Sequence, residues 1–174
     1  MHSKLTDDVM LRAVEEADLA ILFEQQQDPA ANWMAAFTAK DPTDWLAFAA
    51  KWAKILGDRA VTARVVWCDE RVVGMVGTFI APWSCQREVT YWIGREHWGQ
   101  GIATRALTEF VGSLATRPLY ARAAADNRGS IRVLETCGFV HVGLERGFAE
   151  ARGEEIDEVV MELRAGALDP TARS

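Results

Sequence analysis

The spacing of apolar residues changes period several times along the chain, and each change marks an element. Residues 9–13 are a short β-rich run that predicts a first strand. Glu15, Glu16 and Asp18 then open a helix, acidic where the helix dipole favours negative charge, with Leu19, Leu22 and Phe23 on its apolar face and Asp28-Pro29 as its end. Residues 30–40 fit a short helix followed by a loop. Asp41-Pro42 reads as an N-cap followed by proline at the first helical position. Behind it Trp45, Phe48, Trp52, Ile55 and Leu56 recur at helical spacing up to Gly57, a C-cap candidate. That aromatic stripe is read first as core.

Residues 61–68 and 72–80 are β-rich runs around Asp69-Glu70-Arg71, a hairpin signal, and 86–93 is a third strand beside them. Ile102, Ala106, Leu107, Phe110, Val111 and Leu114 trace one face of a helix. A small apolar strand follows over 118–124, then a short helix over 127–137 closed by Gly138, then strands over 140–148 and 156–163. Each of these two helices links two strands as a crossover, so part of the sheet is expected to be parallel. The expected fold is α/β (α+β), with a mixed, mostly antiparallel central sheet of about seven strands and helices on both faces. One domain is expected over 1–174, with a core over 9–164 and a frayed tail over 165–174.

Composition narrows the function classes. A chain of 174 residues, 49% hydrophobic, holds enough apolar material for one substantial core. The formal net charge of -6, with no run of Lys or Arg, argues against a nucleic-acid partner and weakly favours cationic amines. The three cysteines, Cys68, Cys85 and Cys137, form no C-x-x-C pair, and the three histidines have no metal-ligand spacing. Reduced thiols and no metal are expected. No apolar run reaches the roughly 20 residues of a membrane span, and Met1 to Asp8 lack an apolar signal core, so no membrane and a cytoplasmic location are expected.

The chemistry concentrates in Tyr91 to Thr104, which reads as strand, loop, two glycines and the first turn of a helix. A helix start leaves backbone N–H groups unpaired and carries partial positive charge. Gly99 and Gly101 let the main chain turn sharply and approach a ligand, so the segment suits a phosphate or pyrophosphate. It is not a P-loop, which needs G-x-x-x-x-G-K-[ST], and Thr104 replaces the third glycine of a dinucleotide fingerprint. A glycine turn before an ordinary helix is the plainer alternative.

The run from Glu88 to Thr104 resembles the acetyl-CoA motif of the GNAT N-acetyltransferase family, and is closest to its RimJ/RimL type, the ribosomal-protein N-terminal acetyltransferases. Gly101 and Ala103 fit the last two fixed positions of the signature [QR]-x-x-G-x-[GA]. Trp98 stands where Gln or Arg is usual, and Arg105 where the subgroup often has Glu. The segment Asn127 to Phe139 resembles the family's N-x-x-S-x-x-[VL]-[LY]-E-x-x-G-F at every fixed position. The resemblance implies transfer of an acetyl group from acetyl-CoA to a primary amine, by direct attack in a ternary complex without a covalent enzyme intermediate. The acceptor would be a protein N-terminus or a small amine.

The same resemblance implies the site residues. Trp92, Ile93, Trp98, Gly99, Gln100, Gly101, Ile102, Ala103, Thr104 and Asn127 would hold the coenzyme. Ser130 would face its sulfur, and Glu88 would be the general base. Trp33 and Phe37, with Glu145 and Glu150, would meet the acceptor. Plainer roles stand beside these. Asn127 suits an N-cap and Ser130 an ordinary helix position. Glu88 suits an exposed strand-end carboxylate paired with an arginine, and His97 a loop contact rather than a phosphate. Cys137 reads as a buried, inert thiol. The alternative function is a non-catalytic acyl-CoA-binding sensor or interaction domain. The final strands offer an edge for a possible homodimer.

Overall fold

A computed structural model of the chain describes residues 8–166, so the expected N-terminal segment and most of the expected tail lie outside the described residues. The elements are β1 (Met10–Ala13), α1 (Glu16–Gln25), α2 (Pro29–Ala35), α3 (Trp45–Gly57), β2 (Thr62–Cys68), β3 (Arg71–Ile80), β4 (Arg87–Ile93), α4 (Ile102–Gly112), β5 (Leu119–Ala124), α5 (Arg128–Thr136), β6 (Val140–Ala149) and β7 (Glu154–Leu163). The described strands form one sheet in the order β1-β2-β3-β4-β5-β7-β6. Every neighbouring pair is antiparallel except β4 and β5. The mixed, mostly antiparallel sheet expected from the element order is therefore present, as is its parallel pair.

Two expected boundaries move. Asp28-Pro29 starts a helix rather than only ending one: Asp28 accepts from the N–H of Ala31, and Pro29 begins α2. Asp41 does not cap α3. It accepts locally from Thr43, and Asp44 takes the Ala47 N–H at 2.9 Å, so α3 begins at Trp45. Asp44 lies three residues before Ala47, the reach an N-cap carboxylate needs. Gly57 is the last residue of α3, and Asp58 is its C-cap.

Helices cover both faces of the sheet. On one face α4 and α5 bury Ile102, Leu107, Phe110 and Leu134 against Val76, Val89, Leu119 and Met161. On the other, α1 and α3 bury Leu22, Phe48 and Trp52 against Val65 and Val72. The aromatic stripe of α3 is core here, with Trp45 and Phe48 stacked on each other and Phe23 against both.

β4 and β5 pair at one position, Glu88 opposite Tyr120, and separate beyond it. The second half of β4 is thus hydrogen-bonded only to β3, and its other edge faces a gap. Gly74 on β3 keeps that half close: a Cβ there would lie 2.0 Å from the Trp92 carbonyl oxygen.

Candidate functional site

A cleft of about 1360 Å³ runs through the gap, walled by α2, α3, β3, β4, β5 and the first turns of α4 and α5. One end of it is the glycine segment. Gly99 and Gly101 sit at φ 74° and 75°, in the left-handed region that L side chains rarely adopt. A Cβ at either would meet nothing within 4 Å, so the backbone angle, not crowding inside the protein, calls for glycine. Gly101 is the N-cap of α4 and supplies no side-chain acceptor, and the first turn has no acidic residue. The amides of that turn therefore stand open at the positive end of the helix dipole. Trp98 braces the loop by donating from its indole to the Ile93 carbonyl at 2.8 Å, and Arg95 ties it to Asp28 at 2.9 Å. His97 pairs with Glu96 at 3.1 Å.

The start of α5 lies beside the gap. Asn127 caps this helix by accepting from the Ser130 N–H at 3.1 Å, and its amide group donates to the Met34 carbonyl at 3.2 Å. Both polar ends of that side chain are thus engaged within the protein, and so is its main chain, whose N–H donates to the Ala124 carbonyl at 2.9 Å and whose carbonyl accepts from the Ile131 N–H at 3.1 Å. The Ser130 and Tyr91 hydroxyls share a hydrogen bond of 2.7 Å. Burial pushes the Tyr91 phenol up to about 12, with the Ser130 bond opposing, so it stays a neutral hydroxyl at neutral pH.

Glu88 is not the exposed strand-end residue of the plainer expectation, though its arginine partner is real. It is 3% exposed. Its Oε1 accepts from Trp83 Nε1 at 3.0 Å and from Arg122 Nε at 2.8 Å. Arg122 also donates to Glu145 and, at 3.4 Å, to Glu158. Burial alone would lower the Arg122 pKa, but its bonds to Glu145 and Glu88 outweigh it and hold the guanidinium charged. Glu158 is pushed the other way: burial raises its carboxyl, Arg122 opposes, and nearby Glu88 and Glu145 add to the rise. Three carboxylates thus face one guanidinium.

Strand register sorts these groups by face. Glu88 lies opposite Phe79, and Thr90 and Trp92 follow by alternation on the side of α1 and α3. Arg122 and Glu158 belong to that side too, while Tyr91 and Ser130 are on the side of α4 and α5. The gap between β4 and β5 connects the two sides.

The sequence-derived candidates divide accordingly. Trp92, Ile93, Trp98, Gly99, Gly101, Ile102, Ala103, Thr104, Asn127, Ser130, Glu88 and Phe37 all line the cleft. Gln100 lies off it, against a smaller neighbouring cavity with Arg71 and His97. Trp33 does not reach the cleft wall; its ring lies 5.1 Å from the Arg152 guanidinium. Glu145 reaches the cluster only through Arg122, and Glu150 sits in the β6–β7 turn away from the cleft. Trp83, Tyr91, Arg122 and Glu158 were not anticipated. Arg122 had a signal, as the one charge in an otherwise uncharged strand, Leu119–Ala124. Cys137 is buried and its thiol is pushed up by that burial, as an inert thiol requires.

Residues 8–140 match the family described as Acetyltransferase (GNAT) domain. An uncharacterized N-acetyltransferase p20 of Bacillus licheniformis is 25% identical, covering 94% of this chain and 96% of that protein. The structure of a spermidine N-acetyltransferase from Vibrio cholerae, in complex with CoA and spermine, superposes with a TM-score of 0.76 at 22% identity, covering 92% of this chain and 98% of that one. Mycobacterium smegmatis RimJ, in complex with CoA-disulfide, superposes at 0.74 and 21% identity, covering 92% and 83%. The RimJ/RimL type is thus one neighbour among enzymes of other acceptors, and the match does not single it out.

Proposed function

Because this chain belongs to the acetyltransferase (GNAT) domain family, we propose that it moves the acetyl group of acetyl-CoA directly to a primary amine in the β4–β5 gap. The observation that carries this reading is the gap itself, with open helix amides and Ser130 at one end and the buried Glu88 beside the partly buried Glu158 at the other. The residues present fit the coenzyme. The α4 first turn suits its pyrophosphate. The indole N–H of Trp92 is buried without a partner, and the coenzyme's amides and thioester offer it carbonyl acceptors. The coenzyme supplies the activated acyl group.

The chain's own groups do the rest. The free edge of β4 around Trp92 and Ile93 offers a backbone N–H to a developing oxyanion. Ser130 donates its proton to the departing sulfur, and the neutral Tyr91 hydroxyl donates in turn to Ser130. Both bonds to Glu88 fall on Oε1, which leaves Oε2 to accept the amine proton, directly or through water. No residue needs to carry the acyl group.

The acceptor enters on the side of Glu88, Glu158 and Phe37. The excess of carboxylate over guanidinium there favours a small amine with more than one positive charge over a protein N-terminus of the RimJ/RimL kind. The bound spermine of the Vibrio cholerae enzyme agrees with this class. The ion pair that occupies Glu88 is what favours the second reading, a non-catalytic acyl-CoA-binding domain. We assign the chain to a single domain working in the cytoplasm, where its thiols stay reduced. The edge strand β6, with exposed Val142, Leu144 and Phe148, is the surface for a homodimer, checked by sedimentation.

Release of free thiol from acetyl-CoA, followed against polyamines, aminoglycosides and N-terminal peptides, tests the function. Turnover with a polycationic amine is expected. Tight coenzyme binding without turnover on any amine would favour the sensor; no coenzyme binding would end both readings.

A further inference from the structure

A helix leaves its last carbonyls without internal donors. Those of α2 and the turn after it are taken by two distant segments. Arg152 Nε donates to the Trp33 carbonyl at 2.9 Å, Asn127 to that of Met34 at 3.2 Å, and the Ala151 N–H to that of Ala36 at 3.1 Å. Ala36 is fully buried and sits at φ 64°, ψ -56°, while Phe37 N–H bonds the Ala35 carbonyl at 2.7 Å. That is a γ-turn at positive φ, strained for a residue with a side chain and kept only where the surroundings impose it. It delivers Phe37 to the cleft wall.

Arg152 is the piece that ties this turn to the catalytic side. Its side chain is 5% exposed, and its fork grips both oxygens of Asp126, at 2.5 and 2.9 Å. Its guanidinium also lies against the Trp33 ring. Asp126 directly precedes Asn127, which caps α5 at Ser130.

We propose that Arg152 is a positioning residue that fixes the acceptor wall, α2 and Phe37, against the start of α5. This rests on the acetyl-transfer reading above. The cradle on α4 shares none of these bonds, and only the Asn127 turn belongs to both ends, so the acceptor should feel their loss far more than the coenzyme. A fork of this kind is not reproduced by lysine.

The test uses the full-length protein and its best amine from the panel. Arg152→Met should raise the acceptor KM roughly tenfold or more, with a fall in kcat, because small misplacements at a reacting site are costly. Acetyl-CoA Kd, by calorimetry, should stay within about twofold, and Arg152→Lys should fall between. Hydrogen exchange of the amides over 33–37 should quicken while that of β4 stays unchanged. Should Arg152→Met not accumulate folded, Asp126→Asn carries the test, with the same split at about threefold. Unchanged exchange over 33–37 in a folded variant, or acceptor and coenzyme affinity falling in step, would overturn the proposal. If the wild-type protein acetylates no amine, the transfer reading fails, and the exchange comparison still decides the clamp.

Discussion

The two ends of the cleft are built in different ways. The proposed coenzyme end is almost one continuous run, from the last residues of β4 through Gly99 and Gly101 into α4, joined by the Asn127–Ser130 turn. Its properties are backbone properties: two left-handed glycines and a helix start with open amides. The proposed acceptor end is assembled from α2, β3, β4, β5 and β7, and held by side chains that meet only in the fold. Arg122 alone joins Glu88, Glu145 and Glu158 from three other strands. In the first region binding and stability are separable. In the second, the groups proposed to face the acceptor are joined to Arg122, which braces the sheet, so a change there strikes both.

The strongest way to break this contrast is Arg122→Met. Removing one member of a buried ion pair leaves the other charge uncompensated, which costs about 3–5 kcal/mol. Glu88 would be left buried, and Glu158 partly buried, without their cation. Urea denaturation should show a loss of about 3 kcal/mol, the exposure of Glu145 moderating it, and Glu88→Gln in the same chain should return part of it. A loss under about 1 kcal/mol would mean that the cluster does not brace the sheet. Gly101→Val probes the other end. Its φ of 75° is hostile to a β-branched residue, costing about 1–3 kcal/mol, yet the chain should still fold. Acetyl-CoA affinity should fall by about a hundredfold or more, roughly 2.7 kcal/mol, as the side chain fills the open space over the amides. Normal binding by this variant would place the cradle elsewhere.

Ser130→Ala sharpens the contrast inside the coenzyme end. If the hydroxyl acts on the departing sulfur, its effect belongs to the transition state, so kcat falls and coenzyme Kd holds. A thiolate already leaves fairly well at neutral pH, so roughly 10–100-fold is expected, the low end of general acid help or below it. The main-chain cap from Asn127 to the Ser130 N–H survives the change, so stability should move little. Unchanged kcat, with chemistry shown to limit the rate, would leave Ser130 a helix residue.

This division also explains what could be read from the sequence. Local signals were readable wherever the physics is local: the hairpin at Asp69-Glu70, the glycines before α4, and the Asn127 cap three residues before Ser130. The two Asp-Pro pairs show the limit. Asp28-Pro29 and Asp41-Pro42 carry the same helix-start signal, but Asp44 follows the second closely and competes as a cap. Packing of Trp45 and Phe48 onto Phe23 then sets the frame of α3. At the acceptor end, the partners of Arg122 lie 23 to 36 residues away, and register alone brings them together. Arg152 reaches Trp33 across 119 residues. No spacing rule spans such distances: Arg122 shows in the sequence only as the one charge of its strand, and Glu158 and Arg152 carry no signal at all.

The smallest expected effect concerns Glu158→Gln, and its sign carries the information. Burial raises the Glu158 carboxyl above its ordinary value of 4.5, against the pull of Arg122 and with the push of Glu88 and Glu145. A carboxyl whose folded pKa is raised favours the fold while protonated. That contribution is whole below the unfolded value and is lost as pH rises through the folded one. At neutral pH the ionised side chain therefore costs stability, and glutamine removes the cost. The variant should melt slightly higher than wild type near pH 7, by less than about 1 kcal/mol, and the gain should vanish as pH falls below the ordinary carboxylate range. Glutamine loses the 3.4 Å charge contact with Arg122, but Glu88 and Glu145 still hold that guanidinium. A carboxylate that costs stability suits a binding role, so the acceptor KM should rise while coenzyme Kd stays put. A variant less stable than wild type at neutral pH would instead make Glu158 one more brace for Arg122, and the acceptor's charge would then be met by Glu88 alone.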